Sequence, residues 1–196
     1  MINLNSWKKI LKRVLDSERF IHSIGVQKAS LELALLYGTD PVKAETAGLL
    51  HDFGKQFKTG ELLKKAREWG IPVQLVEELS PDLLHGPVGA QVLKRQFGLA
   101  DTEVIEAISF HTTGKEQMGD LSRIVFLADY IEENRSFPGV QEIRVLSRRD
   151  LREALLEALD ATIRYVLNRG LPLHPYSVDF RNAILCEKRD KSGGID

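Results

Sequence analysis

Apolar residues in this chain recur three or four positions apart almost from end to end. Nowhere do they form the alternating, β-branched runs separated by hairpin turns that strands require. The spacing therefore predicts an all-α fold. Trp7, Ile10, Leu11, Val14 and Leu15 make a short first helix, and Ser17 caps a second that runs to Tyr37 and stops at Gly38. Asp40 before Pro41 is a cap with proline at the first helical position, so a third helix is expected from Pro41 to Phe53. Further helices are expected between Thr59 and Gly70, at Pro72 to Leu79, and from Gly86-Pro87 to Phe97. Others should run from Asp101 or Thr102 to His111, and from Ser122 to Glu133. Thr112 to Asp120 reads as loop. After the break at Phe137-Pro138-Gly139, Leu151, Leu155, Leu159, Ile163 and Val166 mark a long helix from Ser147 to Asn168. A proline-bearing loop, Leu171 to Tyr176, precedes a last helix capped by Ser177 and running toward Cys186.

Size and charge limit what such a bundle can do. With 196 residues, 43% hydrophobic and 28% charged, the chain is expected to be a single soluble domain, residues 1–188, with a mobile tail at 189–196. Its 27 basic residues balance 28 acidic ones, which gives no support to a nucleic-acid duplex as partner but leaves room for a local basic pocket. Cys186 is the only cysteine, so neither an intrachain disulfide nor a thiolate zinc site is available. The first twenty residues lack the apolar run of a signal peptide. No stretch approaches the roughly 18 apolar residues of a membrane span. A cytoplasmic location follows as the expectation. Apolar stripes on the long helix leave a homodimer open.

Within the third helix, AETAGLLHDFGK sets His51 and Asp52 side by side in apolar sequence. Ionised groups in apolar interiors are normally paired, hydrogen-bonded or bound to metal, and imidazole and carboxylate are both metal ligands. Asp129 is similarly placed, within IVFLADYI. His22, His85 and His111 lie on or beside three further helices. Ligands from facing helices are a common way to build a metal site inside a bundle. Six N and O ligands exceed the needs of one tetrahedral ion but suit two ions sharing a carboxylate, for which Asp52 is the natural bridge. The absence of thiolates favours iron, manganese, cobalt or zinc.

The ordered set His22, His51-Asp52, Asp129 resembles the metal-binding signature of the HD-domain phosphohydrolase superfamily, with His85 and His111 as the extra histidines of its dinuclear members. SERFIHSIGV, LLHDFGK, FHTTG, LADYIEENR and LPLHPYSVDFRN are similar, more narrowly, to the bacterial YqeK family. That resemblance implies an HD-domain bundle with a di-iron centre and symmetrical hydrolysis of diadenosine tetraphosphate (Ap4A) to two ADP. It makes His22, His51, Asp52 and Asp129 ligands of one ion, and Asp52, His85 and His111 ligands of the other. A hydroxide bridging the metals would attack phosphorus.

Asp52 and Lys55 are the expected catalytic residues, Lys55 lying three positions after Asp52. Arg19 and Arg135 suit a polyphosphate through their planar guanidinium groups. Thr112, Thr113 and Gly114, and Gln56, Phe57 and Lys58, are expected to line the substrate site, which His85, His111 and Asp129 also face. The resemblance suggests Pro172, Leu173, His174, Pro175 and Tyr176 as a wall of the nucleotide pocket. The flanking prolines make His174 itself a non-ligand in a loop outside the bundle interior. Alternatives are another HD-domain nucleotide phosphohydrolase or phosphodiesterase, an HD-domain oxygenase, and a non-catalytic nucleotide-sensing module.

Overall fold

The computed structural model describes residues 3–191, with side chains to residue 187. Its first elements are α1 (Leu4–Val14), α2 (Ser17–Tyr37) and α3 (Pro41–Leu50). Asp16, one residue before the expected cap, closes the start of α2 by accepting from the Arg19 N–H at 2.9 Å. Asp40 does the same for α3, taking the Val42 and Lys43 N–H groups. α3 stops three residues earlier than expected. His51 holds the last helical turn, Asp52 leaves it at φ −92° and ψ 14°, and Phe53–Gln56 forms a separate 3-10 helix.

The chain continues through α4 (Thr59–Glu68), α5 (Leu75–Leu79), a second 3-10 turn (Pro81–Leu84), α6 (His85–Phe97) and α7 (Thr102–Phe110). It ends with α8 (Asp120–Ile131), α9 (Val140–Ser147), α10 (Leu151–Asn168) and α11 (Pro175–Lys191). α9 is an element that the apolar spacing did not reveal. The long helix expected from Ser147 starts at Leu151 instead, because Asp150 caps it by accepting from the Glu153 N–H at 3.0 Å, and Ser147 is the last residue of α9. The tail expected at 189–196 begins inside α11, and its residues 192–196 lie outside the described residues. No strand occurs among the described residues, so the fold is all-α. No described helix is long and apolar enough to cross a membrane.

α2 runs along α3 and α8, and α7 packs against α3, α6 and α8. Leu49, Leu50, Leu93, Ile108, Ile124 and Leu127 fill the space between them, all with no exposed surface. Burying each such side chain is worth roughly 1.5–3 kcal/mol. Phe53 belongs to this core, 2% exposed, with its ring edge-to-face on Phe97 at 5.6 Å. That anchor pins the 3-10 helix, and with it the preceding His51-Asp52 pair. The same helix lies against the first turn of α6 with no side chain between. A Cβ on Gly54 would fall 2.0 Å from the His85 carbonyl oxygen, and one on Gly89 would fall 2.7 Å from the Gly54 nitrogen. Bare backbone at these positions lets Asp52 and His85 meet.

Candidate metal centre

The six expected ligands reach one place in the bundle from five elements. His22 comes from the second turn of α2, His51 and Asp52 from the end of α3, and His85 from the start of α6. His111 follows α7, and Asp129 lies in the last turn of α8. His22 Nε2 is 3.1 Å from His51 Nε2 and 3.0 Å from Asp129 Oδ1. On the other side, His85 Nε2 is 2.9 Å from His111 Nε2. Asp52 stands between the two groups and divides its oxygens. Oδ2 is 3.7 Å from His51 Nε2, while Oδ1 is 3.2 Å from His85 Nε2 and 3.8 Å from His111 Nε2. Two overlapping sets, His22, His51 and Asp129, and His51, Asp52 and His111, each bring their ligand atoms within 4.8 Å of one another.

The outer ring nitrogens decide what the inner ones can do. Nδ1 of His51, His85 and His111 faces the carbonyl three residues earlier, on Gly48 at 2.8 Å, Asp82 at 2.5 Å and Ile108 at 2.8 Å. A carbonyl only accepts, so Nδ1 carries the proton and Nε2 of a neutral ring presents a lone pair. Lone pairs on His85 and His111 aimed at each other across 2.9 Å repel unless a cation lies beside them. Protonation is a costly remedy, since burial, helped by the charges of His51 and His85, pushes the His111 pKa down to about 3. The Thr112 hydroxyl, 3.0 Å from His111 Nε2 and 3.3 Å from His85 Nε2, has one proton for two acceptors. The donor set thus fits metal ions of the N/O-preferring type.

Burial raises the carboxyl pKa of Asp52 and Asp129, but their neighbours win. Asp129 is held far below the ordinary range by the His22 hydrogen bond and the charges of His51 and Arg135. Asp52 is lowered by His51 and by the hydrogen bond and charge of His85. Both are therefore ionised at neutral pH. His22 moves the other way, because hydrogen bonding and charge from Asp129 outweigh its burial.

Over the cluster opens a cavity of about 680 Å³ lined by Arg19, His22, Asp52, Lys55, His85, His111, Thr112, Asp129 and Arg135 among others. A larger hollow of about 1030 Å³, between α7 and α11, contains none of the candidate residues. Lys55 reaches the cavity from the 3-10 helix, its ammonium 2.5 Å from Asp82 Oδ2. Arg135 donates to Asp129 Oδ1 at 2.7 Å, and Arg19 lies 3.5 Å from Asp52 Oδ2.

Several expected substrate contacts do not line this cavity. Gln56 turns back to donate to the Phe53 carbonyl at 2.8 Å, and Phe57 lies under the Lys65 ammonium. Lys58 precedes α4, where its N–H donates to Glu61. The Thr113 hydroxyl donates to the Gly114 carbonyl, and Gly114 packs on the Phe180 ring. Pro172, Leu173, Pro175 and Tyr176 likewise lie away from the cavity lining. His174, expected outside the bundle interior, is only 4% exposed. Its Nδ1 accepts from the Tyr176 N–H at 3.2 Å, and its Nε2 is 3.7 Å from Glu77. Pro172 does stand in a loop there, but Pro175 already opens α11, two residues before the expected Ser177 cap, and Glu77 of α5 and the Tyr176 ring lie against the imidazole.

Glu132 and Asp82 are the contributors that sequence reasoning missed. Glu132 is 2% exposed with Oε1 3.1 Å from His22 Nδ1. Its signal was available: it stands three residues after Asp129, hence on the same helical side. Asp82 carries no such mark, because its part in orienting His85 is played by a main-chain carbonyl.

The HD domain family matches residues 19–134, the interval that contains all six candidate ligands. The chain belongs to the HD domain family. Its relatives include the symmetrical bis(5'-nucleosyl)-tetraphosphatase of Halalkalibacterium halodurans, 38% identical over 181 residues, 92% of this chain and 96% of the relative. The enzyme of the same name from Bacillus subtilis is 39% identical over 167 residues, 84% of this chain and 88% of the relative. The YqeK likeness read from the motifs therefore holds. A crystal structure from Clostridium acetobutylicum, titled a predicted HD superfamily hydrolase involved in NAD metabolism, superposes with a TM-score of 0.92 at 35% identity, covering 95% of this chain and 99% of that one.

Proposed function

We propose that this HD-domain protein hydrolyses diadenosine tetraphosphate symmetrically, giving two ADP, at a dinuclear centre that iron occupies, with manganese, cobalt and zinc as alternatives. The observation that carries the reading is the division of the Asp52 oxygens between two histidine groups. His22, His51, Asp52 and Asp129 would hold one ion, and Asp52, His85 and His111 the other. When bound, such a pair lowers the pKa of water and stabilises charge on the reacting phosphoryl group. The names of the relatives support the substrate, and the three cations at the cavity suit its phosphate chain.

The chain's own residues supply binding and orientation. Arg19 and Arg135 take non-bridging oxygens, for which a guanidinium fork is well shaped. Lys55, 13% exposed at its side chain, faces the departing ADP and offsets the charge that develops on its terminal oxygen. Water oxygen adds to one of the two central phosphorus atoms and gives up a proton, and the bond from that same phosphorus to the bridging oxygen breaks. The bridging oxygen leaves on the other half, so that each half is ADP. The absence of a membrane-spanning helix among the described residues is compatible with work in the cytoplasm.

Purified protein supplied with iron or manganese should convert the dinucleotide to ADP alone. Asp52→Ala should abolish turnover and lose both metal equivalents while remaining helical. AMP plus ATP as products would refute symmetrical cleavage. Faster turnover of nucleoside monophosphates or cyclic dinucleotides would move the assignment to another phosphohydrolase.

A further inference from the structure

Three of the four clustered histidines are aimed by a carbonyl three residues before them, which is open to them because each stands at the end of a helix or turn. His22 has no such choice. It sits within α2, where the preceding carbonyls serve the helix itself, so its Nδ1 must find an acceptor elsewhere.

We propose that Glu132 is the positioning residue that aims His22 at the metal centre, holding its Nδ1 proton so that Nε2 faces the ion. The inference rests on the metal centre proposed above. Glu132 Oε1 lies 3.1 Å from His22 Nδ1, on the side of the ring away from Asp129 and His51. Its other oxygen is fixed by two donors from Asn134, the backbone N–H and the side-chain amide, both at 2.8 Å. A buried carboxylate needs such partners. Its main chain is clamped as well. The Arg144 guanidinium donates to the carbonyls of Ile131 at 2.6 Å, Arg135 at 2.7 Å and Glu132 itself.

Room for the carboxylate comes from α2. A Cβ on Gly25 would fall 2.2 Å from Glu132 Oε2 and 3.0 Å from its carboxyl carbon. Glycine inside a helix is otherwise unfavourable, so the position gives up helix propensity to admit the side chain. A carboxylate also adds what the three carbonyls cannot, a full negative charge behind the ring, which makes the inner nitrogen a stronger ligand. Glu132 thereby joins α8 to α2 through the ligand that each contributes, Asp129 from one and His22 from the other.

The test compares wild type, E132Q and G25A, each stripped of metal and titrated with cobalt(II). Gln keeps the shape but presents amide hydrogens to donors, and the Gly25→Ala methyl displaces the carboxylate without altering it. Both metal-free variants should stay helical, bind cobalt about 10–100-fold more weakly and change its visible spectrum. In turnover of the tetraphosphate both should lower kcat while leaving KM near the wild-type value, a split that general loosening would not give. If E132Q fails to fold, G25A decides alone. Wild-type cobalt affinity and spectrum in a folded variant would overturn the role of Glu132. A wild-type protein that takes up no cobalt would instead overturn the metal centre beneath it.

Discussion

Gly54→Ala is a small change with a large expected effect, since the added methyl meets backbone on the far side. The new Cβ would lie 2.0 Å from the His85 carbonyl oxygen and 2.8 Å from its carbon, against an ordinary contact distance of 3.4 Å or more. Relief requires the 3-10 helix and the start of α6 to part by about 1.4 Å, because neither neighbour is a flexible side-chain end. Asp52 sits two residues before the methyl and moves with it. Its 3.2 Å approach to His85 would then open to roughly 4.5 Å, too far for both to serve one ion. Overpacking of this kind costs about 1–3 kcal/mol, or roughly 2–12 °C in Tm for a chain of this length. A displacement near 1 Å at the reacting groups costs about 10²-fold in rate. ADP release followed by anion-exchange chromatography, metal content and thermal unfolding read the three consequences together. Gly60→Ala is the control, with nothing within 4 Å of its added Cβ. Wild-type activity and Tm in Gly54→Ala would refute the claim that bare backbone contact sets the Asp52–His85 distance.

Lys55→Gln should lower kcat/KM by about 10²-fold, the usual loss for one donor to developing charge, with metal content unchanged; an unaltered kcat/KM would remove Lys55 from the chemistry. Asp82→Asn should weaken the hold on Lys55 while retaining the carbonyl that aims His85, so metal content should again match the wild type. Metal-free protein should lose stability as pH falls from about 6.5 toward 4. His51 and His111 have lowered pKa values, so the unfolded chain takes up protons there that the folded one excludes. His22 does not alter the slope in this window: its raised pKa gives a contribution fully present below 6.5 and lost as pH rises through the folded value. Each net proton is worth about 1.4 kcal/mol per pH unit, and below about 3.8 the depressed Asp52 and Asp129 add to the loss. Urea unfolding across this range checks the sign; stability that rises on acidification would refute it.

The sequence by itself determined the helical class and the candidate ligands. Three-and-four spacing fixes which face of a helix is apolar, and a histidine or aspartate inside such a face stands out wherever the chain later goes. His22, His51, Asp52, His85, His111 and Asp129 could therefore be named without knowing how the helices pack, and they do converge. Breaks that depend on a local competition were harder to see. The separation of α9 from α10 rests on the Asp150 cap, and the early end of α3 rests on Phe53 entering the core. Arg19, Lys55, Thr112 and Arg135 lie at the cavity, as their neighbours in sequence suggested, whereas Gln56, Phe57, Lys58 and the 172–176 loop turn elsewhere. Only tertiary structure could assign Glu132 to His22, the Asp82 carbonyl to His85, and Gly25 and Gly54 to the spaces they leave open. The physical reason is range. Periodicity and capping act within a few residues, but a second partner for a buried imidazole, or the gap that admits it, belongs to whichever helix packing brings alongside.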